Sequence, residues 1–152
     1  MKYEIQGRHF EDWTVGEDFE TAHRTVTETD IVVFAGLSGD YNPLHTNEEF
    51  AKKTVFKTRV AHGFLVHAIA IGLANQTNYF QGTLIAEKTN KNIRFTKGVV
   101  AGDTIYVRAK VVQKNDGDKP DQGEVVFDVE VVNERGDVCS TSTRTLAIRK
   151  RS

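Results

Sequence analysis

The run Phe64-Leu65-Val66-His67-Ala68-Ile69-Ala70-Ile71-Gly72-Leu73-Ala74 contains no charged side chain and one imidazole. A helix that is apolar on every side is buried rather than amphipathic. At roughly a dozen residues it is too short for the ~20 that a membrane span requires. The segment therefore predicts a central helix, and the rest of the chain must supply its cover.

The cover is written downstream as alternation. Ile105, Val107, Ala109 and Val111 interleave with Thr104, Tyr106, Arg108 and Lys110, and Val125, Phe127, Val129 and Val131 repeat the pattern against Asp128 and Glu130. Period two marks strands with one face buried. Asn115-Asp116-Gly117-Asp118 and Asn133-Glu134-Arg135-Gly136-Asp137 are turns built from residues that tolerate positive φ. Cys139 to Ile148 reads as a final Thr-rich strand. Strands that follow one another without intervening helices imply an antiparallel sheet. The expected class is α+β, with that sheet wrapped around the buried helix.

Upstream the chain reads differently. Phe19 to Val26 is a plausible first strand, and Thr27-Glu28-Thr29-Asp30 is a capping sequence. Ile31, Phe34, Ala35 and Ser38 continue at helical spacing until Gly39 stops the helix. Asp40 to His45 contains Asn42-Pro43 and reads as a loop, after which Asn47 caps a short helix from Glu48 to Lys53. No linker or repeat divides the 152 residues, so one domain spanning 1–152 is expected.

Composition narrows the partners. Twenty basic residues balance twenty-one acidic ones, which leaves no electrostatic footprint for nucleic acid or an anionic membrane. The single cysteine, Cys139, cannot form an internal disulfide or a Cys-rich zinc site. The first eight residues lack the apolar run of a signal peptide, so a cytoplasmic location is expected.

The chemistry is concentrated in Gly36-Leu37-Ser38-Gly39-Asp40-Tyr41-Asn42-Pro43-Leu44-His45 and in Arg59-Val60-Ala61-His62-Gly63-Phe64-Leu65. Asp40 and His45 lie five residues apart across a turn that Asn42 can close and Pro43 stiffens. A carboxylate and an imidazole converging on one small volume make an acid/base pair. Asp40 could instead be a solvated capping acid and His45 a histidine satisfied by a backbone carbonyl; their shared company with Asn42 and Pro43 favours catalysis. His62 opens the central helix, where a structural role competes with substrate contact. His67 is expected to pack, hydrogen-bonded, inside that helix. His62 and His67 are five residues apart, about 140° around a helix, unlike the same-face pair that holds zinc. No metal is expected.

Asp40-x-Asn42-Pro43-x-His45 resembles the hydratase motif of the MaoC-like, (R)-specific enoyl-CoA hydratase and dehydratase family. Phe10-Glu11-Asp12-Trp13-Thr14-Val15-Gly16, His62-Gly63 and Gly102-Asp103-Thr104-Ile105 also sit where that family has similar residues. The resemblance covers nearly the whole chain. It implies a hot-dog fold, a homodimer or higher homo-oligomer, and a substrate carried on CoA or on acyl carrier protein, with no further cofactor. It implies that Asp40 and His45 hold and activate water. Gly63 would offer its backbone N–H to the thioester carbonyl, with Asn42 and His62 helping to position the site. A helix start carries unpaired N–H donors and about +0.5 of partial charge, which suits a developing enolate oxygen.

Two positions depart from the pattern. Ile71 stands where some members carry a serine that bonds the aspartate, so Asp40 needs another partner, such as Asn42 or a backbone group. Gly98 replaces a common proline. A hot-dog thioesterase and a non-catalytic acyl-thioester binding module are the competing functions. Lys88-Thr89-Asn90-Lys91 could meet a CoA phosphate or simply be a solvated strand end.

Overall fold

The computed structural model describes residues 6–151. Residues 1–5, part of the segment read as lacking a signal peptide, lie outside the described residues. Helix α4 (Gly63–Gln76) occupies the centre. Against it lies an antiparallel sheet of β1 (Asp18–Glu20), β2 (Arg24–Thr25), β3 (Leu84–Phe95), β4 (Thr104–Asn115), β5 (Gln122–Asn133) and β6 (Val138–Arg149). The strand order is β1-β4-β5-β6-β3, with β2 also paired to β4. Helices α1 (Glu28–Ser38), α2 (Pro43–Thr46) and α3 (Glu48–Ala51) form a lobe beside the start of α4. No helix among the described residues is long and apolar enough to cross a membrane.

The alternation places the core as expected. Ile105, Val107, Ala109 and Val111 on β4 and Val125, Phe127, Val129 and Val131 on β5 are buried, and they share one cluster with Leu65, Val66, Ile69, Ala70 and Leu73 of α4. The turns at Gly117 (φ 77°) and Gly136 (φ 82°) use the left-handed conformation that glycine adopts without penalty. Thr27 caps α1: its Oγ1 accepts from Asp30 N–H at 3.1 Å, and the Asp30 carboxylate accepts from Thr27 N–H at 2.8 Å.

Four expectations are corrected. The strand expected over Phe19 to Val26 is broken into β1 and β2, because the Thr21 hydroxyl takes the place of a backbone acceptor and binds Val107 N–H at 2.9 Å. Asp40 to His45 is not all loop: Pro43–Thr46 closes a helical turn, so His45 is held on α2. Helix α4 is not covered on every side, since the sheet packs on one side of it. Phe64 is 62% exposed, and Ala68 and Gly72 continue the open stripe. The short helix after Asn47 ends at Ala51 rather than Lys53.

Strand β3 was not legible from alternation. Its sequence lacks an apolar period because Glu87 and Asn90 are turned toward Arg144 and His67 rather than toward a hydrophobic layer. It pairs only along β6, with register shifts at Leu84/Ala86, Glu87/Thr89 and Lys91/Arg94, and forms one edge of the sheet.

Candidate active site

The end of α1 sets up the site. Gly39 adopts φ 76° and donates its N–H to Ala35 O at 2.9 Å, which terminates the helix and turns the chain. Ser38 Oγ donates to Phe34 O at 2.7 Å and accepts from Asp40 N–H at 3.2 Å. Asp40 Oδ1 accepts from Asn42 N–H at 3.2 Å, and Asn42 Oδ1 accepts from Leu44 N–H at 3.1 Å. Two successive side-chain turns and a proline at the first helical position thus lead from Asp40 to His45.

His45 is then locked from the far side. Its Nδ1 lies 2.7 Å from Val60 O, and a carbonyl can only accept, so Nδ1 carries the proton. The neutral ring presents a bare Nε2, and Asp40 Oδ2 lies 3.8 Å from that atom. This gap is too long for a direct hydrogen bond and suits a bridging water or a hydroxyl. The His45 side chain is 11% exposed and that of Asp40 52%, so a rigid imidazole faces an open carboxylate.

Val60 is itself anchored, by a β-bridge to Val100 and by its N–H to Leu44 O at 3.3 Å. Next to it, Arg59 reaches Glu28 on α1 at 2.5 Å and Glu48 on α3 at 3.1 Å. The Thr58 hydroxyl and the Arg59 backbone also donate to Glu48, and these bonds hold its carboxyl below the usual range. This staple ties the lobe to the strand-like segment that carries the Val60 carbonyl.

His62 is 3% exposed and lies behind His45, the two rings stacked at 3.8 Å with an interplanar angle of 25°. Its Nε2–H donates to Asp40 O at 2.9 Å. Gly63 follows at the start of α4, where its N–H is among the donors without an intrahelical acceptor. A Cβ at Gly63 would meet the outer edge of the Phe95 ring at 2.8 Å, so a larger residue there would have to displace that ring.

His45 and Gly63 share the wall of a cavity of about 310 Å³. The rest of the lining is mainly apolar: Leu44, Phe56, Val60, Phe64, Val66, Phe95, Val99 and Cys139, with Lys97 and Thr96. Burial pushes the Cys139 thiol up, so it contributes volume there rather than a thiolate. Gly98 fits because Phe56 lies where its Cβ would be, at 2.6 Å.

The structure therefore brings together Asp40, His45, His62 and Gly63. Asn42 shapes the turn: its side-chain carbonyl caps α2. His62 stands outside the cavity lining and contacts the pair from behind. Asp40 finds the Asn42 backbone as its partner. Ile71 is eight residues beyond Gly63, roughly 12 Å along the helix. The Val60 carbonyl left no trace in the sequence because any residue can supply one.

Donor atoms of Asp40, His45 and His62 lie within 4.8 Å of one another, the one such trio found among the described residues. Stacked rings inclined by only 25° do not direct their in-plane lone pairs to one point at coordination distance. The trio is poorly shaped for a metal ion.

Comparison with known proteins bears on the family and the fold. Residues 10–133 match the MaoC like domain. An (R)-specific enoyl-CoA hydratase of Rhodospirillum rubrum is 39% identical over 103 residues, covering 68% of this chain and 69% of the relative. A 3-hydroxybutyryl-CoA dehydratase of Methylorubrum extorquens is 31% identical over 113 residues, covering 74% and 69%. A monoamine oxidase regulatory protein from Archaeoglobus superposes with TM-score 0.89 at 41% identity, over 99% of this chain and 100% of that one. A Mycobacterium tuberculosis protein described as a double hotdog fold, 20% identical, superposes with TM-score 0.85 over 98% of this chain and 46% of its own. The likeness in fold is to hot-dog proteins.

Proposed function

The chain belongs to the MaoC-like domain family, and from that premise we propose that this hot-dog domain catalyses (R)-specific hydration of a trans-2-enoyl-CoA, or the reverse dehydration. The observation that carries the reading is the 3.8 Å gap between Asp40 Oδ2 and a His45 Nε2 whose ring is fixed by Val60, beside the apolar cavity that begins at Gly63.

In this reading water sits between the two side chains. Asp40 orients it, and His45 Nε2 takes its proton as the water oxygen bonds to Cβ. The π electrons of the double bond move toward the thioester oxygen, where the Gly63 N–H and the helix start meet the developing charge. Such donors are worth about 2.7–4 kcal/mol in other enzymes. The His45 imidazolium then gives its proton to Cα on the same face, which completes a syn addition and restores the neutral ring. No cofactor takes part beyond the carrier of the acyl group, CoA or acyl carrier protein.

The domain works as a homodimer in the cytoplasm in this proposal. A second copy would cover the open stripe of α4 at Phe64, Ala68 and Gly72 and the free edge of β3.

A panel of C4 to C10 trans-2-enoyl-CoA substrates with chiral analysis of the product tests the reading. Formation of the (R)-3-hydroxyacyl-CoA is expected. Release of free CoA with a carboxylic acid would instead establish a thioesterase, and saturable binding without turnover would establish a binding module.

A further inference from the structure

Resting on the Asp40–His45 reading, we infer that His62 is a positioning residue that fixes the spacing of the pair and stabilises the charge His45 acquires during turnover.

The unusual state of this side chain motivates the inference. His62 Nε2–H is engaged by Asp40 O, so the neutral ring has its bare lone pair at Nδ1. That atom is buried and has no hydrogen-bond partner among the described residues. An orphaned buried nitrogen is unfavourable, and a phenyl ring of similar shape would avoid it. What histidine supplies and phenylalanine lacks is the donor to Asp40. What leucine would lack besides is an aromatic face.

Both properties act on the pair. The bond from His62 to the Asp40 carbonyl holds the backbone of one member, while the ring packs flat against the other at 3.8 Å. One imidazole therefore sets both ends of the gap. Phe34 of α1 braces it at 5.0 Å. The ring face also provides for the intermediate. When Nε2 of His45 is protonated, the cation lies over a neutral π system, and its own side chain is largely shielded from solvent, which strengthens cation–π attraction. The titratable groups recorded against His62 are Asp40 and His45; Phe34 adds none.

Three variants separate the two roles. His62→Leu removes donor and face, His62→Phe removes the donor and keeps the face, and His62→Gln keeps a donor and removes the face. In the leucine variant, kcat for hydration should fall about 10- to 100-fold with KM within twofold, a loss within the range of acid/base effects. The acidic limb of kcat/KM should move to lower pH by about half to one unit. The phenylalanine variant should leave that limb in place while lowering kcat several-fold. Should the leucine variant not fold, the glutamine variant makes the same comparison. An unmoved limb in both Leu and Gln variants, or equal displacement in the Phe variant, would overturn the inference. The His45 titration followed by NMR reads the stack without substrate: its midpoint should fall in the Leu and Gln variants and hold in the Phe variant. A wild-type chain that hydrates no enoyl thioester would thus remove the functional reading while the NMR series still decides the role of His62.

Discussion

His62 and His67 are five residues apart at the start of one helix, yet their surroundings are finished to different degrees. His67 Nε2 accepts from Asn90 Nδ2 at 2.8 Å, and the same amide nitrogen donates to Glu87 Oε1 at 2.9 Å. Glu87 takes Nε and Nη2 of Arg144 at 3.1 and 2.9 Å, and the Arg144 side chain is only 8% exposed. Burial would raise the Glu87 carboxyl, but the Arg144 bonds and charge prevail and hold it below the usual range. Both charges there are paired, although Asn90 Oδ1 is buried without a hydrogen-bond partner among the described residues. Around His62 the charged and basic groups themselves are left open: a carboxylate half open to solvent, an imidazole nitrogen with a free lone pair, and a second one orphaned behind it. Charges already paired have little to exchange with a substrate, whereas an open acid and base beside a cavity do. The comparison assigns stability to the His67 cluster and chemistry to the His45–His62 cluster.

The sharpest way to break that division is to remove the pair. Asp40→Asn and His45→Gln should each lower hydration by about 10²–10⁴-fold. Because both side chains hold one water, the double variant should be hardly worse than the more damaged single. Thermal unfolding should change little in all three, and binding of a saturated acyl-CoA should persist. Near-normal hydration by either folded single variant would sink the assignment.

The complementary test cuts the other cluster. Arg144→Met leaves Glu87 without its partner, and breaking a buried pair costs about 3–5 kcal/mol. Since Glu87 is partly exposed, about 2–3 kcal/mol is expected, measured by urea unfolding. Turnover per folded molecule should stay within twofold. A large loss of kcat at unchanged stability would show that the two clusters are not separate.

The smallest effect is a matter of pH. Burial, then the nearby Arg144 charge, pushes the His67 imidazole below its ordinary 6.5. The unfolded chain gains that proton first, so this contribution to stability is complete above about pH 6.5 and declines as pH falls toward the folded value. Urea unfolding at pH 7.5 and 5.5 should therefore show a smaller loss on acidification in His67→Gln than in wild type. His23 has the opposite sign. Its bond to Glu134 raises its imidazole, giving stability that is present below 6.5 and lost as pH rises through the folded value. A His23→Gln chain should lose stability chiefly at the acidic end.

How much of this the sequence disclosed depended on the kind of signal. Thr27, Gly39 and Asn42-Pro43 act on backbone atoms two to four residues away, so their effects were readable in place. The β4 and β5 alternation was readable because each buried face is apolar. β3 was hidden, since its inward Glu87 and Asn90 answer to Arg144, more than fifty residues later. An all-apolar helix could not reveal that Phe64, Ala68 and Gly72 lack cover, because periodicity needs a polar face to register against. In the site, Asp40, His45 and Gly63 followed from motif and helix start. The Val60 carbonyl and the stacking of His62 depend on how distant segments meet, and local spacing carries no record of that.

The strand order also sets a timetable for synthesis. β3 is made before both β4 and β5, yet its ladder is with β6, the last of the described strands. As a chain emerges from the ribosome, residues 84–95 must wait unpaired while β4 and β5 are made. Non-local pairing of this kind is slow and leaves an edge exposed in the interim. The lysines and arginine along that edge, Lys88, Lys91 and Arg94, then serve as guards against premature association. A nascent chain halted before Val138 would hold every residue of the acid/base pair and still lack the wall that Cys139 gives the cavity. Ribosome-bound intermediates should accordingly stay vulnerable to protease within β3 until β6 has cleared the exit tunnel.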